Sequence, residues 1–405
     1  MNNIAIIGAG ASGLACAIML KTKLPTLDVT IYELNDRVGK KISVTGNGRC
    51  NISNSNASQN NYHGDSLLAQ KLLNDFDFEK QTEFFNKLGV IITKENDGKA
   101  YPLSYQASSV VDALRFSVEE LNIKLKLSCP VSSIEKDKNS GFIVTSKAER
   151  KKFSAVVVAT GGKAGGKIAS DSGYILLKKL GHKIENIFPA IVQIKTETDL
   201  VKQLKGIKIN GNITIKTKQN ARTEYGEILF CDYGLSGPPV LQVSRLANFD
   251  NPIVSLDLLP SMEEKILISE LKSRIALHPN RPVSELFTGF LNKRLGQIVC
   301  KSCNISINQP SSNITNENII AIAKKIKDFS LKVKGTTGFD NAQVTAGGAQ
   351  TTQFFDNLMS KKAKGLFATG EVLNVDGDCG GYNLAFAWAS ANTAANSVIE
   401  YLKGL

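Results

Sequence analysis

Short apolar runs, segments of helical period and one stretch of strict alternation divide the chain. Ile4-Ala5-Ile6-Ile7 is apolar throughout, the pattern of a parallel strand buried on both faces. Leu14 to Leu20 reads as a helix, and the β-branched and aromatic run Val29-Thr30-Ile31-Tyr32 as a second strand, which makes a βαβ unit. The Asn-, Ser- and Gly-rich stretch from Asn47 to Asn61 reads as loop. Helical periodicity returns between Leu67 and Leu88 and again from Ser109 to Leu121. Val156-Val157-Val158-Ala159 is another buried strand, ended by Gly161 and Gly162. A helix from about Asp171 to Leu180 follows, closed by Gly181. After Pro189 the character changes. Asn212 to Thr217 alternates like a half-exposed antiparallel strand, and short strands continue to Leu259. Ser261-x-x-Glu264 reads as a capping box opening helical segments that run to about Leu277. Another helix is predicted from Asn316 to Phe329, with Thr315 as its cap. The last 65 residues return to the earlier character, with a strand and turn at Gly365 to Gly370 and an Ala-rich helix from Leu384 to Ile399.

This order predicts an α/β protein: a Rossmann-type domain built from both ends of the chain, with an inserted β-barrel-like domain and a small helical domain. The 405 residues exceed the size at which one core keeps growing. The expected boundaries are 1–189 for the first part of the Rossmann-type domain, 190–258 for the β-rich insert and 259–329 for the helical domain. A return strand of the β-rich insert is expected at 330–340, and the second part of the Rossmann-type domain at 341–405.

Composition narrows the partners. The net charge is +12, but only nine of the 49 cations are Arg, the residue whose planar fork suits phosphate recognition. No dense basic run or basic stripe interleaved with aromatics is present, so the excess reads as a Lys-rich solvated surface before it reads as a nucleic-acid site. Seven scattered cysteines do not make a disulfide scaffold, and the lone pair Cys300-x-x-Cys303 lacks two further ligands for zinc, so no metal site is expected. No run of about 18 apolar residues exists to span a membrane. The start of the chain lacks a cationic segment before its apolar stretch, so the expected location is the cytoplasm. Oligomeric state is not readable.

The strongest chemical signal is Gly8-Ala9-Gly10-Ala11-Ser12-Gly13. It follows a predicted strand, opens a predicted helix, and has Glu33 twenty residues beyond Gly13, which is the context the dinucleotide fingerprint requires. Gly8 permits the tight turn, Gly10 the approach of a pyrophosphate, and Gly13 close packing of helix on strand. The helix N-terminus offers free N–H groups to the phosphates. Glu33 is placed to accept from ribose hydroxyls and to repel a 2′-phosphate. FAD and NAD both fit this fingerprint. Two features favour FAD: the cationic, glycine-bearing loop Arg37-Val38-Gly39-Lys40-Lys41, and the run Ala368-Thr369-Gly370-Glu371 before Gly380-Gly381-Tyr382-Asn383. The glycine pair lets backbone N–H groups approach a flat ring, and the helix after it presents its positive end to a flavin pyrimidine.

The sequence resembles the YhiN/BaiN-like flavoproteins, also called the aminoacetone oxidase family of FAD-binding enzymes. The matching segments are GAGASGLACA from Gly8, GKKISVTGNGRCN from Gly39, VVVATGGKA from Val156, GEILFCDYGLSGPPVLQVSR from Gly226, NAQVTAGGA from Asn341 and GLFATGEVLNVDGDCGGYNLAFAWAS from Gly365. The resemblance implies FAD contacts at Gly8, Gly10, Ser12, Gly13, Glu33, Gly39, Lys40, Gly48, Val131, Thr160, Gly161, Gly370, Glu371, Gly380, Gly381, Tyr382, Asn383 and Leu384, with Val131 touching adenine through its backbone. The chain departs from the family pattern at Asn374, where an acidic residue is expected, and at Ala391 and Ala395, where glycines are expected.

No acid/base constellation is legible. Arg49, Cys50 and Tyr382 lie in segments expected near the flavin, each with a structural role as the alternative, and no catalytic residue is assigned. Only one dinucleotide fingerprint is present, so NAD(P)H, if used, binds transiently without its own Rossmann domain. Three activities remain open: NAD(P)H-dependent reduction of a small enone-like molecule, oxygen-dependent amine oxidation, and a flavoprotein whose main task is binding nucleic acid.

Overall fold

The computed structural model describes residues 3–404. They form two compact units, one of residues up to Pro189 together with those from Phe339, the other Ala190–Gly338.

The first unit is organised by a five-stranded sheet in the order Leu366–Ala368, Ala155–Val158, Asn3–Ile7, Asp28–Tyr32, Lys124–Lys126. All four pairings are parallel, with Ile6 opposite both Val157 and Ile31. Both faces of the three central strands are covered, which is why two of them read as unbroken apolar runs and the third, Asp28–Tyr32, buries Thr30 among apolar neighbours. The helix Ala11–Lys23 packs on the C-terminal helix Tyr382–Lys403. Ala391, Ala394 and Ala395 are wholly buried, so methyl side chains pack at 391 and 395. Trp388 is also wholly buried. Its indole N–H donates to the Ile52 carbonyl at 2.9 Å, and its ring meets Phe85 edge-on at 5.1 Å.

Two parts of this unit differ from the sequence reading. The period from Leu67 to Leu88 belongs to two helices, Ser66–Asp75 and Phe78–Lys87. Each starts at an aspartate whose carboxylate accepts from a first-turn amide, Asp65 from Leu68 and Asp77 from Lys80. An antiparallel sheet of Val131–Lys136, Phe142–Ser146 and Arg150–Phe153 was not legible as strands.

His182 is 3% exposed, stacked on Phe354, with Nδ1 against the Leu177 carbonyl at 3.2 Å and Nε2 against the Ser360 hydroxyl at 2.8 Å. Burial holds its imidazole below the usual pKa. The unfolded chain then binds a proton that the folded one refuses. Stability from this group is therefore present above about pH 6.5 and is lost as pH falls through that value toward the folded pKa. Thermal midpoints measured between pH 7 and 5 are expected to fall more steeply for the wild type than for His182→Gln; parallel curves would show that His182 carries none of the pH dependence.

The second unit contains a closed six-stranded barrel in the order Ile194–Thr196, Gly234–Ser236, Ala221–Phe230, Lys208–Lys216, Ile253–Asp257, Phe329–Thr336. The alternation read at Asn212 to Thr217 points Ile213 and Ile215 into the barrel and leaves Asn212 and Thr214 partly exposed. Helices Glu264–Leu277, Lys293–Ser302 and Asn316–Lys327 share the barrel's hydrophobic core. Thr315 caps the last of these in a full capping box with Asn318. The capping box expected at Ser261 does not form: the helix starts at Glu264, and Glu263 is its N-cap with no side-chain bond. Lys327 reaches across instead, and its ammonium group satisfies the Leu259 and Met262 carbonyls at 3.0 and 2.9 Å.

Among the described residues no helix is long and apolar enough to cross a membrane, and no cluster of His, Cys, Asp and Glu could hold a metal. Cys300 is buried in its helix and Cys303 forms the helix's C-cap, both as free thiols.

Candidate functional site

The cleft in the first unit begins at the turn between the first strand and its helix. Gly8 adopts φ +110° and donates its N–H to the Tyr32 carbonyl at 2.8 Å. A β-carbon there would lie 2.4 Å from the Ala159 carbonyl oxygen, and one at Gly13 would lie 2.0 Å from the Gly8 carbonyl oxygen. These contacts draw the helix N-terminus down onto the ends of the sheet strands. Gly10 is the N-cap, no side chain caps the helix, and beyond its neighbours in the chain nothing lies within 4 Å of where a β-carbon of residue 10 would point. Uncapped amides facing open space are the requirement for binding a phosphate.

The cleft encloses about 1300 Å³ free of protein atoms, counting what is open to solvent. Of the residues singled out by the sequence, Gly8, Gly10, Ser12, Glu33, Gly39, Lys40, Val131, Thr160, Gly161, Glu371, Asn383 and Leu384 line it. Cys129, whose N–H donates to the Glu33 carbonyl at 2.8 Å, lines it with Pro130 and Val131, as do Thr45 and Ala387. Glu33 is buried at the end of its strand. One carboxylate oxygen accepts from the Ala9 N–H at 2.7 Å, the other from the backbone and side-chain N–H groups of Asn35 at 2.8 and 2.7 Å. Glu371 is held by the Thr345 N–H at 2.8 Å and by the Lys41 ammonium at 2.5 Å. Lys40 turns instead to Asp36, whose carboxyl it holds below the usual carboxylate range.

The remaining expected residues support the cleft from behind. Gly13 and Gly370 lie against the helix Ala11–Lys23 and its neighbours: a β-carbon at 370 would meet the Ser12 hydroxyl at 2.5 Å, and Ser390 accepts from the Gly370 N–H at 3.0 Å. Gly48, at φ +81°, ends a left-handed turn through Gly46 and Asn47 that starts at the cleft residue Thr45. The Gly380 carbonyl accepts from Asn54 at 2.8 Å, and Gly381 starts the C-terminal helix with φ +93°. Tyr382 packs edge-on against Tyr62, whose hydroxyl donates to the Tyr382 carbonyl at 2.9 Å.

Arg49 does not line the cleft. Its guanidinium stacks over Tyr101, 4.8 Å from the ring centre, with Glu95 at 3.9 Å, a structural arrangement. Cys50 is wholly buried, and burial pushes its thiol up to about 12. The thiolate fraction at neutral pH is then roughly a thousandfold below that of a free cysteine. In folded protein, iodoacetamide is expected to label the partly exposed Cys231 and to leave Cys50 unmodified, as peptide mapping by mass spectrometry would read; rapid labelling of Cys50 would contradict its burial.

The structure also assembles groups the sequence did not reveal. Lys41 stood in view beside Lys40, but its partner Glu371 is 330 positions away. His63 and Asp378, 315 positions apart, meet at 3.0 Å where Tyr62–Gly64 pairs with Val375–Gly377.

The parallel sheet, the glycine turn and the uncapped helix at the head of the cleft define a protein of the dinucleotide-binding Rossmann class. The chain belongs to the family described as HI0933-like protein Rossmann domain, whose profile matches residues 2–397. It is 35% identical to the 3-dehydro-bile acid delta(4,6)-reductase of Clostridium scindens, over 99% of this chain and the full length of that protein. It is 28% identical to the ribosomal RNA dihydrouridine synthase of Escherichia coli K12, over 97% of each. Among solved structures, the open conformation of a flavocytochrome c3 fumarate reductase matches with a TM-score of 0.50 at 15% identity, covering 99% of this chain and 78% of that one; this likeness is one of fold.

Proposed function

We propose that this protein is an FAD-dependent reductase that takes electrons from NAD(P)H and saturates a carbon–carbon double bond conjugated to a carbonyl. The observation that carries the reading is the end-to-end similarity to a 3-dehydro-bile acid reductase in a chain whose cleft suits FAD. Glu33 would hold the adenosine ribose, with Val131 beside the adenine. The first-turn amides at Gly10 to Ser12 would hold the pyrophosphate, with Gly161 leaving room beside it. Gly39 and Lys40 would border the nucleotide, and Thr160, Glu371, Asn383 and Leu384 would border the ribityl chain and ring. Gly13, Gly48, Gly370, Gly380, Gly381 and Tyr382 would fix the backbone around these contacts. The flavin, when bound, supplies a two-electron carrier, and the protein contributes position and electrostatics.

A second substrate is favoured by a specific observation. A relative of similar length is named as an rRNA dihydrouridine synthase, and uracil, like an enone, carries a double bond conjugated to a carbonyl. The reductive chemistry is the same in both cases, and only the approach to the cleft differs.

The test is anaerobic titration of purified protein with NADPH and then NADH, followed by a 3-oxo-4-ene steroid or a uridine-containing rRNA fragment. Bleaching of the flavin band by a nicotinamide, and its return on adding one of the two acceptors, is the expected result. A band that persists with both nicotinamides and bleaches only with an amine would replace the reductase with an amine oxidase.

A further inference from the structure

Residues 161–171 connect the strand Ala155–Val158 to the helix Ser172–Lys179. They form part of the cleft wall, which Gly161, Gly162, Ile168, Ala169 and Ser170 line. Gly165 and Gly166 stand at φ +117° and +59°, a left-handed backbone that L side chains rarely adopt. Apart from its entry into the helix, this strap is tied to other elements by three hydrogen bonds among the described residues. Two hold its first half: the Ala164 N–H donates to the Thr345 hydroxyl at 2.9 Å, and the Gly165 N–H to the Phe339 carbonyl at 3.1 Å. The half that follows has one tie, from the Asn35 side-chain nitrogen to the Ile168 carbonyl at 3.2 Å.

We infer that Asn35 is a positioning residue for the cofactor. Its side-chain amide fastens the strap to Glu33, so that the carboxylate assigned to the adenosine ribose and the wall beside it hold FAD as one piece. This rests on the FAD reading above.

Asn35, Glu33 and Ile168 all line the cleft. The nitrogen that donates to Ile168 also donates to Glu33 Oε1 at 2.7 Å. A side-chain amide nitrogen carries two hydrogens, so both are spent, one on each acceptor. Neither a carboxylate nor a carbonyl oxygen can donate, which fixes the amide this way round. The bond to the carboxylate is charge-assisted and the stronger of the two. Asn35 is itself held on both sides of its backbone: its N–H donates to Glu33 Oε1 at 2.8 Å, and its carbonyl accepts from the Ser128 N–H at 2.8 Å.

The same bonds decide what Glu33 can offer. A carboxylate has about four acceptor positions. Asn35 fills two on Oε1, and the Ala9 N–H fills one on Oε2. The position left for a ribose hydroxyl is on Oε2. Asn35 thus orients the carboxylate while it holds the wall.

Two variants test this. Asn35→Asp keeps the shape and removes both N–H donors; Asn35→Ala removes them without adding a charge. Lys167 is an exposed tryptic site inside the strap, and Lys138, exposed in the turn after Val131–Lys136, is a reference site in the same unit. In protein without FAD, trypsin should cut after Lys167 about tenfold faster in both variants than in wild type, the effect of losing one such tie, and at an unchanged rate after Lys138. FAD should protect Lys167 in wild type and protect it less in the variants. Stopped-flow flavin fluorescence should show FAD leaving both variants at least about tenfold faster, with an association rate within a few-fold of wild type. Cleavage after Lys167 at the wild-type rate in both variants, or acceleration equal at Lys138, would overturn the assignment. So would wild-type FAD release from both. Wild-type protein that takes up no FAD would overturn the cofactor reading and the role of Asn35 in it.

Discussion

Gly10→Val protein is expected to fold like the wild type and to purify colourless. The backbone at residue 10 has φ −84°, which any L-residue adopts, and beyond its neighbours in the chain nothing lies within 4 Å of the added β-carbon. The side chain would project into the cleft where the uncapped amides of the helix Ala11–Lys23 present themselves, and it would occupy the approach of the pyrophosphate. Loss of those contacts should weaken FAD by at least about 100-fold, or about 2.7 kcal/mol. The check is the flavin-to-protein absorbance ratio after purification and after reconstitution, beside the thermal midpoint of apo wild type. A stoichiometric flavin band in the variant would remove the phosphate-binding role from this turn.

The same turn gives the opposite result three residues on. Gly13→Ala places a methyl group 2.0 Å from the Gly8 carbonyl oxygen and 3.2 Å from the Ala159 side chain, and the first of these is backbone that cannot swing aside. The helix must move off the sheet or the Gly8 turn must open. Overpacking of this kind costs up to about 3 kcal/mol, a fall of roughly 6–12 °C in Tm for a unit of this size. Apo protein should show the whole effect, since the clash does not involve the ligand. A Tm within 2 °C of wild type would mean that helix and strand are less tightly apposed than described.

These two glycines are identical in sequence terms, and the fingerprint spacing distinguishes their roles without coordinates. Buried parallel strands were equally legible, because Ile4 to Ile7 and Val156 to Val158 have both faces covered and carry no polar interruption. The sheet Val131–Lys136 with Phe142–Ser146 was not. Its period-two signal rests on a few buried positions, Val131 and Ile134 on one strand and Phe142 and Val144 on the next, between charged and polar outer residues. The break at Phe76-Asp77 was written in the cap aspartate, but the apolar period continues across it and hides it. At the site, local motifs showed where a nucleotide would lie. The pair that charges the cleft wall, Lys41 with Glu371, and the pair His63 with Asp378 join distant segments and follow only from the fold.

One bond in the first unit joins Ser12 to the carbonyl of Thr369, 357 residues later, and the central sheet waits for Leu366–Ala368 to take its edge. A ribosome working at ~5–20 residues per second separates those two residues by roughly 20–70 s. During that interval the nascent fingerprint strand and helix are outside the tunnel without the C-terminal helix that covers them. The barrel unit, continuous in sequence, has every partner it needs well before. The sheet and cleft of the first unit are therefore completed only after Leu366–Ala368 and Tyr382–Lys403 have been made, whereas the barrel unit is continuous and whole before them.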